Sequence, residues 1–181
     1  MSGTVEERMG RAVEAFGKDL GGFRTGRASA SLVEHITVDH YGAKTPLNQM
    51  AGISVPENTL LVVQPWDPSA IPAIEKALNN AQLGMTPAVD GNIIRLRVPS
   101  MTEERRKDLV KQMGKRTEEA RIEIRNVRRD EQEAIKKLEK SKEIGEDDAH
   151  RRLEALQKAT DVKTAEIDRM ATAKEREVLE G

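Results

Sequence analysis

TEERRKDLVKQMGKRTEEARIEIRNVRRDEQEAIKKLEKSK, residues 102–142, contains no proline and reads as a single helix of about 40 residues, about 60 Å long at 1.5 Å per residue. Its apolar residues recur in a three/four rhythm: Leu109, Met113, Ala120, Ile124, Val127, Ala134 (with Ile135) and Leu138. That stripe is what a helix shows to helical partners. Thr102 stands where an N-cap would, and Glu103 and Glu104 follow in the first turn, where the helix dipole favours negative charge. Charge is segregated along the stretch. Residues 105–129 hold ten basic and four acidic side chains, a net of +6, and residues 130–148 hold four basic and eight acidic, a net of −4. The overall charge of −1 conceals this.

The rest of the composition fits a helical protein. Of 181 residues 34% are charged and only 2% aromatic, which suits a bundle or coiled coil better than a sheet protein. So few rings exclude a large aromatic core and a platform that stacks successive bases. With no cysteine there is no disulfide, thiolate metal site or cysteine nucleophile, in keeping with a reducing cytoplasm. The N-terminal stretch carries Glu6 and Glu7 without an apolar core, unlike a secretory signal, and no apolar run approaches the roughly 20 residues of a membrane span. A soluble, cytoplasmic protein is expected.

Upstream, residues 4 to about 27 read as a first helix, with Val5, Met9, Ala12 (or Val13), Phe16, Leu20 and Phe23 inward and Arg24 and Arg27 in its last turn. Gly10, Gly17, Gly21 and Gly22 each cost about 1 kcal/mol against alanine in a helix interior. This helix therefore depends on packing, and its glycines would admit a partner helix closely. The character then changes. All seven prolines lie between residues 31 and 102, with only four of the 30 Lys and Arg residues, and such a switch marks an inserted domain. Within it, Leu32–His40 alternates as a strand, Tyr41-Gly42-Ala43 is a turn, and Leu60–Val63 is a buried strand. A short helix follows, starting between Ser69 and Pro72 and ending near Asn80, with Ile71, Ile74 and Leu78 inward. Asp90-Gly91 then turns the chain into the alternating strand Ile93–Val98.

Beyond the long helix, Glu143–Asp148 reverses the chain, with Gly145 ending one helix and an Asp capping the next. A third helix runs from about Ala149 to Leu179, with Leu153, Leu156, Thr160, Ile167, Met170 and Val178 inward. The economical fold is α+β: a three-helix bundle from residues 1–30 plus 103–181, with a small β/α/β domain, 31–102, inserted in it. Two short linkers, Ala28, Ser29, Ala30, Ser31 and Pro99, Ser100, Met101, Thr102, read as a hinge.

Arg121, Arg125, Arg128 and Gln132 fall at i, i+4, i+7 and i+11 on one stripe of the long helix, with Arg129 beside it. The plain alternative is a solvated face paired with Glu118 and Glu123. Arginine, however, suits bidentate contact with phosphate, so structured RNA held through backbone and shape is the natural ligand. Arg24-Thr25-Gly26-Arg27 reads as an ordinary helix terminus, placed at the predicted hinge. Glu143–Asp148 lacks the ligand spacing of a calcium loop, and His35, His40 and His150 form no metal set. No catalytic constellation is visible, so an enzyme is not expected.

Several blocks in order carry a resemblance: Arg24-Thr25-Gly26-Arg27-Ala28-Ser29, Tyr41-Gly42 with Thr45-Pro46-Leu47, Leu83-Gly84 with Pro87, residues 102–109, Arg125-Asn126-Val127-Arg128-Arg129-Asp130, and Glu143-Ile144 with Glu146-Asp147-Asp148. Over essentially its whole length the chain resembles the bacterial ribosome recycling factor family. The resemblance implies an elongated three-helix bundle with a small β/α/β domain, hinged into an L of tRNA-like size. It implies a monomer that binds the post-termination ribosome on large-subunit rRNA and, with elongation factor G and GTP, splits it into subunits. No cofactor, metal or catalytic activity of its own is implied. By this likeness Arg125, Arg128 and Arg129 contact rRNA, with Arg105, Arg106, Arg24 and Arg27 as further contacts. The rival from another class is a cytoplasmic coiled-coil scaffold, whose stripes would be seams between chains.

Overall fold

The structure, a computed structural model, describes residues 3–180. In chain order its elements are α1 (Val5–Gly21), β1 (Thr37–His40), β2 (Ala43–Pro46), β3 (Ala51–Glu57), β4 (Leu60–Pro65), α2 (Ile71–Asn80), β5 (Pro87–Asp90), β6 (Ile93–Arg97), α3 (Glu103–Lys140) and α4 (Glu146–Glu180). The chain divides into two compact units, residues 3–24 with 104–180, and Thr25–Glu103.

The first unit is a bundle of α1, α3 and α4. Helix α1 starts in a capping box: the Glu7 amide donates to Thr4 Oγ1 at 3.2 Å and the Thr4 amide to Glu7 Oε2 at 3.1 Å. Met9, Ala12, Val13, Phe16 and Leu20 are buried. The helix stops at Gly21, short of the expected Arg27, because Gly21 and Gly22 together remove the propensity to continue; the Gly22 amide donates to Asp19 O and the Phe23 amide to Leu20 O, both at 3.1 Å. Arg24 and Arg27 therefore lie beyond α1, not in its last turn. Of the four glycines, only Gly17 answers to a neighbouring helix: a Cβ there would stand 2.8 Å from Met170 Cε of α4, whereas Gly10 and Gly21 face open space.

Helix α3 buries Leu109, Met113, Thr117, Ala120, Ile124, Val127 and Ile135. Ala134 and Ile135 were both expected inward; Ile135 is buried, but Ala134 is exposed. Buried Thr117 and Thr160 each return the hydroxyl to a carbonyl one turn earlier, Met113 O at 2.7 Å and Leu156 O at 2.8 Å, so neither leaves a polar group unsatisfied. Near its start α1 meets α3 through Arg8 and Asp130 (2.9 Å), and near its end through Asp19 and Arg116 (2.6 Å); the two helices are antiparallel.

The turn between α3 and α4 differs from expectation. Lys142, at φ 64°, supplies the left-handed residue that ends α3, with the Glu143 amide donating to Leu138 O and the Lys142 amide to Glu139 O, both at 3.0 Å. Gly145 instead stands before α4, its carbonyl accepting from the Ala149 amide. Helix α4 already begins at Glu146, so Asp147 and Asp148 sit in its first turn and do not cap it.

The second unit holds a two-stranded sheet, β1-β2, and a four-stranded antiparallel sheet in the order β3-β4-β6-β5. Its core includes Val38, Leu47, Leu61, Val63, Ile94 and Leu96 with Ile71, Ile74 and Leu78 of α2. Helix α2 and β6 stand where their periodicity places them. The strand expected over Leu32–His40 is only Thr37–His40. Ser29 caps a 3-10 turn over Ala30–Leu32 that turns the preceding residues away, and Val33 is still fully buried. Tyr41 (φ 50°) and Gly42 (φ 79°) make the tight β1-β2 turn. Strands β2, β3 and β5 were not among the expected elements; β3 and β5 each contain a proline. Both are edge strands. Pro56 falls in the irregularity between Ser54 and Glu57, and Pro87 opens β5, positions where a missing amide costs no ladder bond.

Candidate nucleic-acid interface

The expected arginine stripe on α3 proves to be two populations. Arg121 is tied across the bundle: its Nε and Nη2 donate to Asp168 Oδ1 of α4 at 3.0 and 2.6 Å, and its Nη1 donates to Glu118 Oε2 at 3.2 Å. The Asp168 hydrogen bond chiefly, with help from Glu118, raises the Arg121 pKa above its ordinary value. Arg116, counted only as part of the net charge, is similarly occupied. Its Nε meets Asp19 Oδ2 at 2.6 Å, its guanidinium lies 5.7 Å from the centre of the Phe16 ring, and only 16% of its side chain is exposed. These two arginines hold α3 to its neighbours.

The remaining three face outward to different degrees. Arg125 is exposed and its Nη1 donates to Glu118 Oε1 at 3.0 Å. Arg129 is exposed and, among the described residues, bonds only along its own helix, to Asn126 Oδ1 at 3.0 Å. Arg128 is half-buried and makes no ion pair with any described residue. Gln132, the next position, is half-buried. Glu118 thus serves two arginines, one with each oxygen. Hydrogen bonds from Arg121 first and Arg125 second hold its carboxyl below the ordinary glutamate value of 4.5, so it stays ionised at neutral pH.

The other expected contacts lie apart in sequence and setting. Arg105, exposed, approaches Asp108 at 3.7 Å, and Arg106 is half-buried in the first turns of α3. Arg24 is exposed beyond α1, and Arg27 is half-buried in the second unit. Between them Gly26 holds φ 76°, and a Cβ there would stand 3.3 Å from Met101 Cγ. The positive φ favours glycine there, so residues 25–27 make a corner of the small unit and not a helix terminus. Of the hinge residues, Ala28 donates its amide to Asn58 O at 2.7 Å, and Ser29 Oγ lies 2.8 Å from Ser31 Oγ. Pro99, Ser100, Met101 and Thr102 form no helix or strand.

The histidines stay separate: His35 lies 3.3 Å from Glu34, His150 lies 3.3 Å from Glu154, and the His40 ring rests on Tyr41 at 4.4 Å between centroids. Among the described residues no group of three or more acidic or histidine side chains is placed to hold a metal ion, and no helix is long and apolar enough to cross a membrane.

A three-helix bundle with an inserted sheet unit and a cluster of arginines on its longest helix is, as a class, an α+β protein with an arginine-rich helix face. The chain belongs to the ribosome recycling factor family, whose pattern it matches over residues 16–179. It is 49% identical over 176 residues to the ribosome-recycling factor of Brevibacillus brevis and 51% identical over 176 residues to that of Syntrophomonas wolfei, covering 97% of this chain and 95% of each relative. Among solved structures it is similar to a ribosome recycling factor determined in solution, with 47% identity, TM-score 0.75, and coverage of 98% of this chain and 94% of that one. It is also similar to a T. thermophilus ribosome recycling factor described with E. coli elongation factor G bound to the E. coli post-termination complex (42% identity, TM-score 0.63, 97% and 95% covered). Members of this family are translation factors, not enzymes.

Proposed function

We propose that this protein recycles ribosomes after translation termination, binding the post-termination complex through large-subunit rRNA and, with elongation factor G and GTP, separating the subunits. The observation that carries the reading is that Arg125, Arg128 and Arg129 on α3 have no partner on another helix of the bundle among the described residues, in a chain of this family, while Arg116 and Arg121 are tied to carboxylates of α1 and α4. Guanidinium groups on a rigid helix meet RNA phosphates bidentately, and the scarcity of aromatic rings, 2% of the chain, favours backbone and shape over base stacking. The protein itself makes and breaks no bonds. Hydrolysis of GTP belongs to the elongation factor. The site of action is the bacterial cytoplasm, where the protein works as a monomer.

The small unit is the moving part in this reading. Because Gly26, Ala28 and Ser29 are fastened within the small unit, freedom on the N-terminal side lies before Thr25 and not in the expected Ala28–Ser31, and on the returning chain it lies in Pro99–Thr102.

Co-sedimentation with isolated large ribosomal subunits over a salt series tests the anchor. The wild type binds, and Arg125→Ala/Arg128→Ala/Arg129→Ala, folded by circular dichroism, loses affinity with a shallower salt dependence, each lost phosphate contact removing about 0.7 to 0.9 from the slope. Equal binding by both proteins would move the anchor to Arg24, Arg27, Arg105 or Arg106. Failure of the wild type to bind would remove the ribosomal reading.

A further inference from the structure

Glu118 stands inside the arginine cluster that would meet phosphate. It is joined in a chain of four side chains, Asp168–Arg121–Glu118–Arg125, with contacts of 2.6, 3.2 and 3.0 Å. The order matters. Arg121 is fixed by Asp168 across the bundle, so it pins one oxygen of Glu118 and leaves the other aimed at Arg125 Nη1. A carboxylate anchored in this way cannot simply swing aside when an anion arrives. Positions 118, 121 and 125 are spaced i, i+3 and i+7, which keeps all three on one side of α3.

We infer that Glu118 is a specificity-determining residue of this face: it screens Arg125 from loosely placed phosphates and leaves it to an RNA whose phosphates are held at fixed positions. This rests on the reading of Arg125, Arg128 and Arg129 as an RNA anchor. A guanidinium has five donors, and Glu118 takes one of those on Arg125. A flexible single strand samples phosphate positions all along the helix, including those near Glu118, where like charges repel. A folded RNA presents phosphates at set spacings and can engage the outward donors of Arg125 together with Arg128 and Arg129 while keeping clear of the carboxylate. The repulsive group therefore lowers affinity for the wrong polyanion more than for the right one. Neighbouring Glu119 supplies the comparison. It is exposed, bears the same charge, and makes no ion pair with a described residue.

The test measures binding of the full chain to a short oligouridylate and to isolated large ribosomal subunits, for the wild type, Glu118→Gln, Glu119→Gln and Arg125→Ala/Arg128→Ala/Arg129→Ala. Glutamine preserves shape, and the Arg121–Asp168 contact is untouched, so the bundle stays folded; thermal melts check this. The expected result is that Glu118→Gln binds oligouridylate about fivefold more tightly at low salt, with a salt slope steeper by about 0.7, while subunit affinity changes less than about twofold. Selectivity therefore falls, and Glu119→Gln leaves it unchanged. Three results overturn the inference: equal effects of Glu118→Gln and Glu119→Gln, which would mean general charge only; weaker binding of both ligands by Glu118→Gln, which would make Glu118 a support for Arg125; or no effect at all. If the triple arginine variant loses subunit binding while Glu118→Gln preserves selectivity, the anchor stands and the screening role fails. If the triple variant binds subunits like the wild type, the anchor fails and the inference with it.

Discussion

Glu118 and Arg116 show what a single side chain decides in this bundle. The folded-state pKa of Glu118 is depressed by its arginine partners, so its contribution to stability is present above the ordinary value of 4.5 and is lost as pH falls through the lowered one. Thermal melts of the wild type and Glu118→Gln between pH 3 and pH 7 should accordingly differ by a constant amount down to about the ordinary glutamate pKa, with the wild type the more stable, and converge in more acid solution. A gap that persists at the acid end would mean that the carboxylate charge is not what Arg121 and Arg125 recognise. Arg116 contributes through a carboxylate on another helix and a phenyl ring at once. At this scale the sequence revealed which arginines share a stripe but not which are occupied. Arg121 and Arg125 are four residues apart and chemically identical, and the difference between them is Asp168, 47 positions from Arg121. A partner so remote leaves no local pattern.

Among elements, the helices carry glycines that packing does not explain. Gly10 in α1 and Gly114 in α3 face open space. Alanine at either position should raise stability to urea by about 1 kcal/mol, the ordinary propensity difference. Gly17→Ala should gain less, because its methyl must displace Met170 Cε from 2.8 Å, and the flexible thioether can yield only at some loss of packing. Equal gains at all three positions would mean that α1 and α4 are looser there than the contact suggests. Periodicity made the long elements readable: the 3.6-residue rhythm of α2, α3 and α4 and the alternation of β6 each follow from one face being buried. What periodicity could not supply was termination. The left-handed turn at Lys142 ends α3 with a residue that carries no turn signal, and Pro56 and Pro87 stand in segments that only their edge positions allow to be strands.

For the whole molecule, the division into two units means that each must bury its own core. Residues 25–103 enclose a cluster running from Val33 to Leu96 and hold both sheets. Expressed alone, this fragment should fold, giving dispersed amide resonances and a cooperative melt. A collapsed, non-cooperative fragment would show that the bundle completes its core. The switch in proline and basic content announced an insertion from the sequence, but the expected start at residue 31 comes later than the observed division at Thr25. The reason is physical. Residues 25–32 are fastened by a glycine corner at Gly26, the Ala28 amide and the Ser29 cap, three short-range features with no compositional signature.

Ala28 and Val98 donate their amides to adjacent carbonyls, those of Asn58 and Thr59, at 2.7 and 2.8 Å, so the two ends of the insert are clasped on one turn. For the bundle this shortens the connection between its first two helices from a loop of some 80 residues to an effective handful. Loop-closure entropy rises by about 0.6 kcal/mol per doubling of length, so a folded insert favours docking of α1 on α3 by about 2 kcal/mol over an unfolded one. The inserted unit is thus a splint as well as a passenger. Any lesion in the insert's core is therefore felt by a bundle whose own residues are unchanged.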